Sequence, residues 1–115
     1  MFFDFEKYNF FISPGKTDMR CGATSLAQRV QDDMKLKLND KSMFIFCGSN
    51  KRTIKILTWE DNGFWLCQKK LQVGTFKWPK DKAEAKKITL TDLLRLLKGE
   101  DIWRRLPVIQ DDFII

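Results

Sequence analysis

Histidine is missing from all 115 residues. That removes Ser-His-Asp and Cys-His catalysis, His-bearing zinc sites and histidine pH switches in one stroke. Paired cysteine spacing is missing too. Cys21, Cys47 and Cys67 form no Cys-x-x-Cys, so neither a thioredoxin-like motif nor a zinc ribbon is expected. Three is an odd number, and these thiols read as small hydrophobes in a reducing compartment, with a cross-strand Cys47–Cys67 bridge left open as an alternative. There is no glycine-rich phosphate loop of Walker or Rossmann type. No run approaches the roughly 18 apolar residues of a membrane helix. Met1 to Lys7 mixes Asp4 and Glu6 among its apolar residues and does not read as a signal peptide. A soluble, cytoplasmic protein without cofactor, bound metal or membrane contact is expected. Repeats and low-complexity segments are absent as well. Residues 1–115 are therefore expected to form a single domain, with 106–115 as a loose or docking tail.

What the chain does have is positive charge, unevenly placed. Lys and Arg number 21 against 15 Asp and Glu, a net charge of +6. Residues 1–50 contribute only +1, and residues 51–105 contribute +7. The excess gathers at Lys51-Arg52, Lys55, Lys69-Lys70, the stretch from Lys77 to Lys87, and Arg104-Arg105. A basic region of this kind attracts nucleic-acid phosphates through counterion release. Lysines that merely solvate strand faces would give the same count.

Patterning predicts an α+β fold: an antiparallel β meander of four to five strands, one long N-terminal helix and a shorter C-terminal one. Tyr8–Ile12 reads as a strand, and Ser13-Pro14-Gly15-Lys16 as turn chemistry. Thr17 is placed to cap a helix, with Asp18 favourable in its first turn. Met19, Ala23, Leu26, Ala27, Val30 and Met34 then form one helical stripe. Ser42–Cys47, Thr53–Trp59 and Phe64–Leu71 read as strands, the last two joined at Asn62-Gly63 as a hairpin. Gly74 marks a turn before Thr75–Pro79. Apolar residues on both strand faces suggest a sheet covered on one side and partly exposed on the other. Thr91 is taken as the second N-cap, Leu93, Leu94, Leu96 and Leu97 as the stripe, and Gly99 as the residue past the helix end.

Catalytic signals are thin. Asp18, Asp32, Asp33, Glu60, Asp61, Glu100 and Asp101 are the carboxylates available to a Mg²⁺-dependent nuclease, and each has a cheaper structural role in a cap, turn or polar helix face. Cys21 near a helix start would be a nucleophile without a histidine base. Four tryptophans interleave with the basic residues: Trp59, Trp65, Trp78 and Trp103. Such a surface can hold a backbone and stack bases, although at least two of the four are expected in the core. Alternation puts Trp65 and Lys69 together on one strand face, the better candidate for an outward functional surface.

The order of motifs is more specific than any one of them. Thr17-Asp18-Met19-Arg20-x-Gly22 is followed by Phe44-Ile45-Phe46 and Ile54-Lys55-Ile56-Leu57-x-Trp59. Then come Asn62-Gly63-Phe64-x-Leu66-x-x-Lys69-x-Leu71 and Gly74-x-Phe76-x-Trp78-Pro79. Last are Leu90-Thr91 to Leu97-x-Gly99 and Trp103-Arg104-Arg105. From about Phe11 to Arg105 this series resembles the TnpB accessory proteins, the second-open-reading-frame family of the insertion-sequence-66 group of bacterial transposons. Cys21, Asp92, Cys67 and Gln68 depart from residues common in that family. The resemblance implies an element-encoded, non-catalytic protein that assists a separate transposase and works with other element-encoded proteins.

The expected mechanism is electrostatic holding of DNA by Arg20, Lys51, Arg52, Lys55, Trp65, Lys69, Lys70, Lys77, Arg104 and Arg105. Thr17, Asp18, Gly22, Trp59, Trp78 and Trp103 are expected to be motif residues with structural work, Gly22 by letting helix and sheet approach. The alternatives are a protein adaptor for the transposase that does not touch DNA, and a small Mg²⁺-dependent nuclease. The sequence names no oligomeric state.

Overall fold

The computed structural model describes residues 3–39, 41–80 and 86–103; Arg104, Arg105 and the 106–115 tail lie outside them. A five-stranded sheet runs in the order β4-β3-β2-β1-β5, with strands β1 Asn9–Lys16, β2 Ser42–Cys47, β3 Thr53–Glu60, β4 Gly63–Lys70 and β5 Lys86–Ile88. Helix α1 spans Ala23–Asp32 and α2 spans Leu90–Leu97. Strands β2, β3 and β4 form the expected antiparallel meander. The first strand departs from it: β1 pairs with β2 in parallel, and α1 lies on the crossover between them.

Side-chain alternation sorts the core into two layers. Phe10, Ile12, Met43, Ile45, Cys47 and Ile54 pack on one face with Phe76, Trp78, Leu93 and Leu96. Phe44, Phe46 and Leu57 pack on the other with Leu26, Ala27 and Val30 of α1. The sheet is thus covered on both faces, not on one. Every residue of β2 is buried. Removing Met43, Phe44, Ile45 and Phe46 from water contributes on the order of 6–12 kcal/mol before chain entropy is charged against it.

Three local expectations change for physical reasons. Ser13–Lys16 is not a turn; it continues β1 through an irregularity between Ile12 and Lys16, with Gly15 at φ 78°. Pro14 falls within the irregularity between Ile12 and Lys16, where the β1–β2 register is interrupted, a position at which a strand tolerates a residue without an N–H. Helix α1 starts at Gly22, not Thr17. In residues 17–21 the Thr17 N–H, the Asp18 carboxylate and the Met19 and Cys21 carbonyls are committed elsewhere, as described below. Helix α2 is capped by Thr89, whose hydroxyl accepts from the Asp92 N–H at 3.1 Å, and not by Thr91. Gly99 does stand past its end, at φ 90°. The β3–β4 hairpin forms with Glu60 opposite Gly63, so Asp61-Asn62 make the turn and Asp61 takes the positive φ of 53°.

All three cysteines are free. A Cys47–Cys67 bridge is ruled out by topology. Strand β3 separates β2 from β4, which puts them roughly 9–10 Å apart, against the limit of about 7 Å for a disulfide.

Gly22 and Gly48 make opposite predictions. A Cβ on Gly22 meets nothing within 4 Å, so this glycine does not serve close packing of helix on sheet. A Cβ on Gly48 would lie 2.7 Å from Met19 Cγ. Gly22→Ser should therefore leave stability unchanged or raised by a few tenths of a kcal/mol, about the gain from a better cap. Gly48→Ala should cost about 1–3 kcal/mol by overpacking. Urea unfolding of both variants checks the pair.

Candidate functional site

The loop from β1 to α1 turns out to be a structural device. The Thr17 N–H donates to the Cys47 carbonyl at 2.8 Å, joining the loop to the end of β2. Asp18 Oδ1 accepts from the backbone N–H of Arg20 at 2.9 Å and from its Nε at 3.0 Å, while Oδ2 accepts from the terminal guanidinium nitrogen at 2.7 Å. Met19 lies on Gly48. Lys55 Nζ then rises from β3 and donates to the carbonyls of Met19 at 2.7 Å and Cys21 at 2.9 Å. Gly22 is the N-cap. Carbonyls bound to an ammonium and a carboxylate bound to its neighbour are what hold residues 17–21 out of the helix.

Arg20 thus has a structural partner that its sequence position did not reveal. The pair is exposed, with side-chain exposures of 91% for Arg20 and 48% for Asp18. The Arg20 side chain, followed by its backbone N–H, holds the Asp18 carboxyl down to about 2 from an ordinary 3.8.

Other expected contacts are also partly committed to the fold. Lys69 Nζ donates to the Leu97 carbonyl at 2.8 Å, at the end of α2 where a cation suits the helix dipole. Trp65, 41% exposed, donates its indole N–H to Glu60 at 2.8 Å and meets Phe3 edge-on. Trp59 packs edge-on against Phe64 on the other face. Trp78 is buried and donates to the Ser13 carbonyl at 2.9 Å. Trp103 donates to the Lys77 carbonyl at 2.6 Å and packs on the α2-side core. Arg104 and Arg105 are outside the described residues.

Lys16, Lys51, Arg52, Lys70 and Lys80 are gathered differently. Lys16 pairs with Cys47, Cys47 with Ile54, and Thr53 with Lys70, so these residues lie in neighbouring rows at one end of the sheet. The β2–β3 turn closes that end: the Lys51 N–H reaches the Gly48 carbonyl at 3.0 Å, and Lys51 adopts φ 59°. The Lys51 carbonyl accepts from Phe76, and the Pro79 carbonyl accepts from Gly15 at 2.8 Å, which lays residues 76–80 alongside. Lys16, Arg52, Lys70, Lys77 and Lys80 are exposed. Sequence reasoning left Lys16 out because it belongs to the near-neutral first half, and counted Lys80 only within the basic Lys77–Lys87 stretch and not as a site residue. Parallel pairing of β1 with β2 is what brings them together.

Two clefts open at this end. One, of about 220 Å³, is lined by Gly15, Lys16, Gly48, Ser49, Lys51, Trp78, Pro79 and Lys80. The other, of about 510 Å³, is walled by Lys16, Thr17, Asp18, Met19, Arg29, Gly48, Ser49, Asn50 and Thr53. Thr17 Oγ1 and Arg29 Nε, both on residues of the second cleft, are buried without a hydrogen-bond partner among the described residues.

The carboxylates, by contrast, are dispersed. Asp32 accepts from Gln28, Asp33 pairs with Arg29, Glu100 pairs with Arg95, and Asp101 accepts from the Trp103 N–H. Among the described residues no group of three or more potential metal ligands occurs. Burial pushes the Cys47 thiol up to about 11, and burial also raises Cys67. No helix among the described residues is long and apolar enough to cross a membrane.

The Asp18–Arg20 clamp gives a pH prediction. A carboxyl depressed in the folded chain stabilises fully above about 3.8 and loses its contribution as pH falls toward about 2. Carboxyl NMR titration should place Asp18 near 2, and Arg20→Ala should return it toward 3.8. Lys55→Ala should lower stability by about 1–3 kcal/mol in urea melts, because two loop carbonyls lose a charged donor.

Comparison with known proteins complements this geometry. The family described as "IS66 Orf2 like protein" matches residues 8–106. The chain is also similar to the "Uncharacterized protein y4hO" of Sinorhizobium fredii (strain NBRC 101917 / NGR234), at 40% identity over 94 residues, covering 82% of this chain and 81% of that protein. No solved structure matches. On the extent of the family match and the similarity to that relative, the chain belongs to the IS66 Orf2-like family.

Proposed function

We propose that this protein is a non-catalytic accessory factor of transposition that holds DNA phosphates at the basic end of its sheet while a separate transposase performs the chemistry. Family membership associates the chain with insertion-sequence transposition. The observation that carries the DNA reading is the placement of Lys16, Lys51, Arg52, Lys70 and Lys80 at the same end of the sheet, with Lys16, Lys51 and Lys80 around one cleft. Lys55 and Lys69 serve the fold first, since their ammonium groups are occupied by backbone carbonyls. Arg20 adds little to the field because Asp18 offsets its charge.

Phosphate holding by exposed lysines reads charge and spacing, not base sequence. Binding to duplex DNA, followed by fluorescence anisotropy, should therefore weaken steeply with salt and depend little on sequence. Arg52→Ala combined with Lys70→Ala should reduce the slope of log affinity against log salt by about 1.8, the value for two lost phosphate contacts. Absence of binding at low salt would retire the DNA reading and favour an adaptor that contacts only the transposase.

A further inference from the structure

The cleft of about 220 Å³ is more than a stretch of positive surface. Phosphate contacts to a duplex need only exposed cations at the right spacing, and a flat face would serve. Here Lys16, Lys51 and Lys80 stand around a concave site lined also by Trp78 and Pro79, and none of the described residues lining it is acidic. The Trp78 ring is fixed by its indole hydrogen bond to the Ser13 carbonyl at 2.9 Å, and Pro79 is fixed by the Gly15 N–H on its carbonyl at 2.8 Å. Both lining residues are thus tied to β1 by hydrogen bonds.

At about 220 Å³ the space is below the range of ordinary ligand pockets and suits one planar ring system. An apolar lining with cations around it matches a group that is flat and apolar in the middle and anionic on its flanks. An unpaired nucleotide within a strand has that shape: a base with a phosphate on each side. Single-strand binding sites elsewhere combine the same two elements, a cationic track and an aromatic surface.

We infer that this cleft takes one unpaired nucleotide of a DNA strand, with the base against Pro79 and the accessible part of Trp78 and the neighbouring phosphates on Lys16, Lys51 and Lys80. The inference rests on the DNA reading above and deepens it. Paired bases cannot enter, since their faces are stacked within the duplex. The protein would thus prefer a frayed, nicked or overhanging end to continuous duplex, at a site distinct from Arg52 and Lys70.

The test compares three fluorescent hairpin DNAs bound to the full chain: blunt, carrying a single-stranded thymidine overhang, and carrying the same overhang with abasic sugars. The overhang should bind about 5- to 100-fold more tightly than the blunt end, and the abasic version should lose most of that gain while keeping its phosphates. Ser49→Glu, an exposed turn position on the cleft wall, should abolish the overhang preference, so that the overhang, abasic and blunt DNAs bind alike, while its added negative charge weakens phosphate holding of all three equally. Circular dichroism confirms that the variant is folded. Arg52→Ala with Lys70→Ala should weaken all three DNAs alike.

Equal binding of the three hairpins would overturn the nucleotide cleft while leaving phosphate holding intact. No binding to any of them at low salt would overturn both. A synthetic Asp-Asp-Phe-Ile-Ile peptide, matching residues 111–115, probes the acidic aromatic alternative. If that peptide binds and is lost in Ser49→Glu while the overhang confers no gain, the cleft belongs to a protein partner and the inference fails.

Discussion

Complete burial of β2 is the constraint on which the rest of the structure depends. A strand with Met43, Phe44, Ile45 and Phe46 in succession has no polar face to turn toward water. Both sides of the sheet must be covered, and a chain this short has few means of doing it. Helix α1 covers one side; α2, Phe76 and Trp78 cover the other. Once α1 is placed between β1 and β2 in the chain, a parallel pairing becomes available to β1. The loop leaving β1 then arrives at the same end as the turn leaving β2. Ligand sites in α/β folds form at the carboxyl ends of parallel strands for this geometric reason. One parallel pair is enough to create such an end here.

Much of this was legible in the residues. The runs at 42–47, 53–59 and 64–71 gave nearly correct strands because their β-branched and aromatic content has no competing helical period. The stripe at Leu26, Ala27 and Val30 located α1. Ordered motifs supported the family. Parallel pairing of β1 was not legible, because alternation along a strand is the same whichever way its neighbour runs. The start of α1 was misplaced because Thr17 and Asp18 are ideal cap residues in composition. The Thr17 N–H is claimed by a strand end and the Asp18 carboxylate by Arg20, both invisible in a helical pattern.

The candidate site was less legible than the fold, and lysine is the reason. A lysine in a sequence is one positive charge, whatever its ammonium group will touch. In the folded chain Lys55 holds a loop, Lys69 holds the end of a helix, and Lys41 lies over the Tyr8 ring at 5.4 Å. Composition counts these equally with Lys16 and Lys80. Only geometry separates charges that build the protein from charges left at its surface, and it moves the basic centre toward the ends of β1 and β2. Trp78 shows the same ambiguity among aromatics, being both core residue and cleft lining.

The two clefts share Lys16, Gly48 and Ser49, and Gly48 is pressed against Met19 across that common wall. A partition with a face in each chamber cannot be thickened on one side alone. Any side chain added at Gly48 would therefore press on both openings at once.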